Sequence, residues 1–202
     1  TPKLISNSKG VDCQPVYSPD MNWLAWTSMK RAGFEADKKD LILFNRKKGE
    51  MKNLTEDFKL SVDEFIYSPD SKTIYFIAGN EINNSIYMLN VNDDKIELFH
   101  KDNYNTGIQI SKDGKTIYFL KQRSDLPSEI FSQSTDGKNT LKRITFTNDE
   151  ILSQLEMNPV ETFWCEGANG DKVQSILVKP PFFDPNKKYP MMFLIHGGPQ
   201  GA

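Results

Sequence analysis

The sequence predicts a mainly β chain in which a four-stranded unit repeats about three times, as the blades of a β-propeller do, before a different style of structure begins. Three observations predict it. Tyr17-Ser18-Pro19-Asp20 recurs 50 residues later as Tyr67-Ser68-Pro69-Asp70, and more loosely 43 residues after that as Ile110-Ser111-Lys112-Asp113-Gly114. Each of these turns leads into an alternating apolar strand, at 23–26, 73–76 and 116–119, the period-2 pattern of strand structure. A second hairpin then follows at constant distance, so a period of 43 to 50 residues holds four strands, which is the arithmetic of a propeller blade. Leucine-rich, ankyrin and tetratricopeptide repeats have shorter periods of about 20 to 34 residues and mostly need helical spacing; no convincing amphipathic helix is readable before residue 148.

The elements follow in order. The Pro-Asp and Asp-Gly pairs supply hairpin turn chemistry, and the three blades cover about 8–60, 61–104 and 105–147 within a propeller region 1–150. Third strands begin at Leu41, Ile86 and Ile130. Turns at Lys48-Gly49, Asn92-Asp93-Asp94 and Asp136-Gly137 lead to closing strands at 51–55, 96–99 and 141–145. The loop between the second and third strands of the first blade, 28–38, is longer than its counterparts at 78–84 and 121–128, which points to a role beyond connection. Trp23, Trp26, Tyr75 and Tyr118 are expected to pack between blades, and His100 to lie at a blade edge. Three blades do not close a ring, which typically needs 4 to 8; the expectation is an open arc belonging to a longer protein.

Around 148–159 the style changes, with 149–155 read as one helical turn or a linker. Residues 151–202 form a second region. Alternating strands at 160–164 and 173–178, joined by a turn at 167–171, make a hairpin outside the repeat. Pro180-Pro181 ends it, and Pro185 and Pro190 keep the connection extended. Met191-Met192-Phe193-Leu194-Ile195 is expected to be a buried strand running into His196-Gly197-Gly198-Pro199. A strand entering a glycine pair is how a hydrolase presents backbone N–H groups to a forming oxyanion. No G-x-S-x-G nucleophile elbow occurs in the 202 residues.

Composition limits the partners. With 25 basic and 27 acidic residues interspersed and a formal net charge of −2, the chain lacks the basic stripe that nucleic acid requires. Its longest apolar stretch, at 191–195, falls far short of the roughly 20 residues that span a bilayer. Cys13 and Cys165 are expected to be free and buried. The Asn92-Asp93-Asp94 turn lacks calcium-loop spacing, so neither a metal nor a cofactor is expected.

The blade-like repeats, the hairpin and the ending Tyr189-Pro190-Met191-Met192-Phe193-Leu194-Ile195-His196-Gly197-Gly198-Pro199-Gln200-Gly201 together resemble the prolyl oligopeptidase family of serine peptidases. The 28–38 loop resembles that of its dipeptidyl/acylaminoacyl-peptidase branch. The resemblance implies that the propeller precedes and caps an α/β-hydrolase domain, whose first strands this chain would contain. It implies a serine nucleophile, an aspartate and a histidine beyond Ala202, so that the 202 residues alone are inactive. It also implies a backbone N–H of Gly198 in the oxyanion hole, with His196, Gly197 and Pro199 shaping that loop rather than moving a catalytic proton. Short peptides are the implied substrates, dipeptides released from a free N-terminus the implied products, and a periplasmic or otherwise exported location the implied setting.

Arg31, Glu35 and Asp37 are the candidate substrate-binding residues, since a carboxylate there could pair with a peptide's α-amino group. The competing expectation for each is a solvated charged loop. A non-catalytic propeller that serves as a docking module is the alternative from another class, and an acylaminoacyl-peptidase the alternative among enzymes. Uncovered blade flanks predict homo-oligomers.

Overall fold

The computed structural model describes residues 3–138 and 140–195. Three four-stranded antiparallel blades follow one another. The first is β1 (Asp12–Tyr17), β2 (Trp23–Ser28), β3 (Asp40–Asn45) and β4 (Met51–Asn53), in spatial order β1-β2-β3-β4. The second is β5 (Glu64–Tyr67), β6 (Thr73–Asn80), β7 (Asn83–Asn90) and β8 (Ile96–His100); the third is β9 (Tyr104–Ile110), β10 (Thr116–Arg123), β11 (Leu126–Ser134) and β12 (Lys142–Arg143). A single parallel pairing of Asn84 with Tyr104 joins the second blade to the third. The expected repeat and strand order are therefore present.

The turns are built alike because their chemistry is alike. In the first, Ser18 Oγ donates to Asp20 Oδ1 (2.6 Å) and accepts from Trp23 N (3.0 Å), while Met21 N donates to Ser18 O (2.9 Å). Ser68 with Asp70 and Ser111 with Asp113 repeat the first contact at 2.6 Å, and Thr73 N and Thr116 N repeat the second. The fourth position of each turn, Met21, Ser71 and Gly114, has a φ of 60°, 63° and 73°, a left-handed conformation that costs nothing only to glycine. Turns of adjacent blades also touch, since Asp20 N donates to Ser71 Oγ (3.1 Å).

The core lies in two seams between blades. Ala25, Leu41 and Leu43 of the first blade meet Phe65, Ile74, Phe76, Tyr87 and Leu89 of the second. Tyr75, Ile77 and Ile86 on the opposite face of the second blade meet Ile108, Ile117 and Phe119 of the third. Strand β6 is thus buried on both faces, and its run Ile74 to Ala78 is apolar without interruption, as a doubly covered strand must be. Trp26 and Tyr75 are buried, Trp23 packs against the first seam, and Tyr118 differs from expectation in being 39% exposed.

Several other expectations are corrected. The stretches 78–84 and 121–128 are mostly strand, with two-residue turns at Glu81-Ile82 and Ser124-Asp125. Their polar residues look like loop in sequence, but Ala78 to Asn80 continue the ladder with Ser85 to Asn83, and Lys121 pairs with Glu129. His100 is no edge residue: it is 7% exposed, inside the seam between the second and third blades. Beyond the blades, α1 (Asp149–Leu152) is the expected helical turn, and β13 (Glu161–Glu166) pairs with β14 (Lys172–Leu177) as the expected hairpin. Cys165 sits on its exposed face and Cys13 is half-buried on the bulged β1, so neither cysteine is buried, though both are free. Residues 191–195 form no strand and are 76–83% exposed. A strand buried on both faces needs ladder partners and covering layers, and the described residues offer it neither.

Candidate functional site

The long loop between β2 and β3 is built by its own charges. Arg31 Nη2 and Nε donate to Asp37 Oδ1 (3.0 and 3.1 Å), and the backbone N–H groups of Lys30 and Arg31 donate to Asp37 Oδ2 (2.9 and 2.8 Å). The Arg31 guanidinium also lies 3.8 Å from the Phe34 ring centre, within cation–π range. Burial alone would raise the Asp37 carboxyl; the backbone N–H and guanidinium of Arg31 outweigh it and hold it below its ordinary value. Arg31 and Asp37 therefore satisfy each other. Glu35 is exposed and makes no hydrogen bond or ion pair among the described residues, which leaves it the one candidate carboxylate available to a ligand.

Behind the loop is an anchor that sequence reasoning missed. Asp40, 2% exposed, accepts Lys38 Nζ at 2.7 Å, with Lys30 Nζ at 3.7 Å from its other oxygen. Lys38 Nζ also donates to the carbonyls of Thr55 (2.7 Å) and Phe58 (2.6 Å), while Thr55 Oγ1 accepts from Leu41 N (2.8 Å). The third blade repeats the device: Ile130 N donates to Thr145 Oγ1 (2.9 Å), and buried Glu129 is engaged by Thr145 Oγ1, Asn148 and Arg143. The Thr145 hydroxyl, more than any other partner, holds the Glu129 carboxyl below its usual range. A signal existed, because Asp40, Ser85 and Glu129 directly precede the apolar runs that begin at Leu41, Ile86 and Ile130, at spacings of 45 and 44 residues.

An antiparallel meander places its turns alternately at the two ends of a blade. The β2–β3 loop, the β6–β7 turn and the β10–β11 turn therefore share one end, opposite the Ser-Pro-Asp turns. At that end Ser124 Oγ accepts from Val160 N (3.2 Å), so the β13–β14 hairpin departs from the end that carries Glu35. Among the described residues no cluster of His, Cys, Asp and Glu could hold a metal, and no helix is long and apolar enough to cross a membrane. His196, Gly197, Gly198 and Pro199 lie outside the described residues.

Residues 1–158 match the family model described as the TolB β-propeller domain. Over its whole length the chain is 30% identical to a Porphyromonas gingivalis protein named dipeptidyl-peptidase 5, of which it covers 29%. The chain spans 28% or 29% of the curated relatives it matches. Among solved structures, the acylaminoacyl peptidase of Pyrococcus horikoshii superposes with a TM-score of 0.65 at 16% identity, over 80% of this chain and 24% of that one. TolB of Acinetobacter baumannii superposes with a TM-score of 0.59 at 20% identity, over 88% of this chain and 43% of that one. Both likenesses show the fold. With the Ser-Pro-Asp turns, the four-stranded blades and the matched residues in agreement, the chain belongs to the TolB β-propeller domain family.

Proposed function

We propose that this chain is the propeller-to-hydrolase segment of an exported serine exopeptidase that releases dipeptides from peptides with a free N-terminus. The observation that carries the reading is the match along the entire chain to a protein named dipeptidyl-peptidase 5, which continues past residue 158, where the match to the TolB-type propeller model ends. The His196-Gly197-Gly198-Pro199 ending supports an acyl-transfer reaction. A serine elsewhere in the longer protein attacks the scissile carbonyl, its base takes the hydroxyl proton, and the Gly198 N–H donates to the oxygen as charge develops there. The intermediate collapses with cleavage of the C–N bond as the base returns the proton to the departing amine, and water then hydrolyses the acyl-enzyme, releasing the dipeptide and regenerating the serine.

In this reading the propeller end facing the hydrolase domain sorts substrates. Glu35 pairs with the peptide's α-ammonium, while Arg31 and Asp37 hold the loop in shape. The test is the hydrolysis of matched dipeptidyl substrates, with N-termini free or acylated, by the full-length protein. Preference for the free amine is expected, and Glu35→Gln should raise KM for it by about tenfold, the scale of a charge-assisted hydrogen bond, with kcat little changed. Preference for the acylated peptide would instead identify an acylaminoacyl-peptidase. No hydrolysis of either would favour a docking propeller.

A further inference from the structure

We propose that the seam between the second and third blades is an acid-sensitive joint, closed while His100 is a neutral imidazole and loosened when His100 and Lys121 both carry positive charge. His100 ends β8 and is 7% exposed; Lys121 lies on β10 of the next blade and is 6% exposed. Their Nε2 and Nζ atoms are 3.2 Å apart. An ammonium has no lone pair, so Lys121 can only donate. His100 Nε2 must then accept, which leaves its proton on Nδ1 and the ring uncharged.

The aromatic rings packed around the pair support that state better than a doubly charged one. The Phe119 ring lies tilted by 43° against His100 at 5.1 Å between centroids, and the Phe131 ring centre lies 5.6 Å from Lys121 Nζ. Neither can solvate two adjacent cations as water would. Gln133 of β11 faces the same space; its Nε2 donates to Phe99 O (3.3 Å), and its side chain favours a charged ring by less than burial disfavours it.

The charged groups facing the pair are few. Asp102, in the connection after β8, favours both cations through space, and Arg123 on β10 opposes Lys121. Lys101 adjoins His100 in the chain. Glu129 stands opposite Lys121 in the β10–β11 register, but its carboxylate is engaged by Thr145, Asn148 and Arg143, so Lys121 has no carboxylate within ion-pair distance among the described residues. Burial first, and Lys121 second, push the His100 imidazole below its ordinary value. Burial likewise lowers Lys121.

The sign follows from linkage. The closed seam binds fewer protons at His100 than an opened seam, in which the ring meets water. Its contribution is complete above the ordinary histidine value of 6.5 and is lost as pH falls towards the lowered value of the closed state. Within that window each pH unit multiplies the opening equilibrium by up to about tenfold. The rest of the seam is aliphatic and aromatic, with Ile77, Ile86, Ile108 and Ile117 fully or almost fully buried, so opening it exposes β7, β8 and β10 to solvent together.

Hydrogen exchange followed by mass spectrometry on the full-length protein tests this, with rates corrected for the intrinsic effect of pH. Between pH 7.5 and pH 5, peptides covering 84–101 and 116–123 should gain exchange several-fold, while peptides of the first seam, 23–28 and 40–45, should not. His100→Gln, which keeps a polar side chain but cannot charge, should remove the gain, and Lys121→Met should reduce it by removing the second cation. Uniform acid sensitivity of both seams in the wild type, or a seam-specific gain that survives in His100→Gln, would overturn the proposal. If His100→Gln does not fold, the wild-type contrast between seams and Lys121→Met decide the matter.

Discussion

At the scale of single residues, the Ser-Pro-Asp turns show what a short motif does and what it costs. Each aspartate accepts its serine hydroxyl and a backbone N–H, and these bonds, the serine's first, lower the carboxyls of Asp20, Asp70 and Asp113; Asp20 reaches about 2. A depressed carboxyl stabilises the fold above its unfolded value of 3.8, and that contribution disappears as pH falls from about 4 to about 2. Acid unfolding of Asp20→Asn should accordingly be less steep than that of the wild type over this window, as followed by circular dichroism. Met21 shares the left-handed position that Gly114 fills in the third blade, and its side chain is 51% exposed. Met21→Gly relieves the strain while losing little burial, so urea denaturation should show a gain of about 0.5–1 kcal/mol. A loss would mean that the Met21 side chain contributes more than its exposure suggests.

At the scale of elements, the chain rests on doubly buried strands and on the anchors that close each blade. Phe76 is completely buried in the first seam, stacked on Tyr87 at 5.4 Å and edge-on to Phe58 at the same distance. Phe76→Ala should cost about 3–5 kcal/mol. Lys38→Met leaves Asp40 buried with only the Thr55 hydroxyl and the distant Lys30; because Lys38 is itself 29% exposed, the expected loss is about 2–3 kcal/mol, below that of a fully buried pair. Denaturation midpoints of the two variants check both values. The blades were legible because turn chemistry and strand alternation coincide three times over, with Tyr75 and Phe76 facing different seams of one apolar run. What escaped was decided across the sequence rather than along it. His100 read as a blade-edge residue and Lys121 as the start of a loop because nothing local records that two blades close over them. Asp40 and Glu129 gave no local signal of burial because their partners, Thr55 and Thr145, lie 15 and 16 residues away. In the loop, the sequence singled out Arg31, Glu35 and Asp37 together, and only the bonds showed that Arg31 and Asp37 satisfy each other.

At the scale of the whole molecule, the blades form a covered core on two seams while leaving other surfaces open. The edge strand β1 borders a shallow apolar groove of about 140 Å³ that includes Cys13, Leu24 and Trp26, and Met191, Phe193 and Ile195 are more than 75% exposed. Unpaired edges beside apolar surface favour association. The 202-residue chain should therefore sediment as a mixture that shifts to larger species with concentration, and a single monomer at every concentration would contradict this. In the proposed reading, function belongs to a larger whole, in which the end carrying Glu35 and the departing hairpin faces the site of chemistry. The measurement that tests this most directly is labelling with a fluorophosphonate probe, applied to the full-length protein and to the 202-residue chain. The account predicts a covalent adduct on a serine of the full-length protein and none on the shorter chain; an unlabelled full-length protein, or an adduct within these 202 residues, would contradict it.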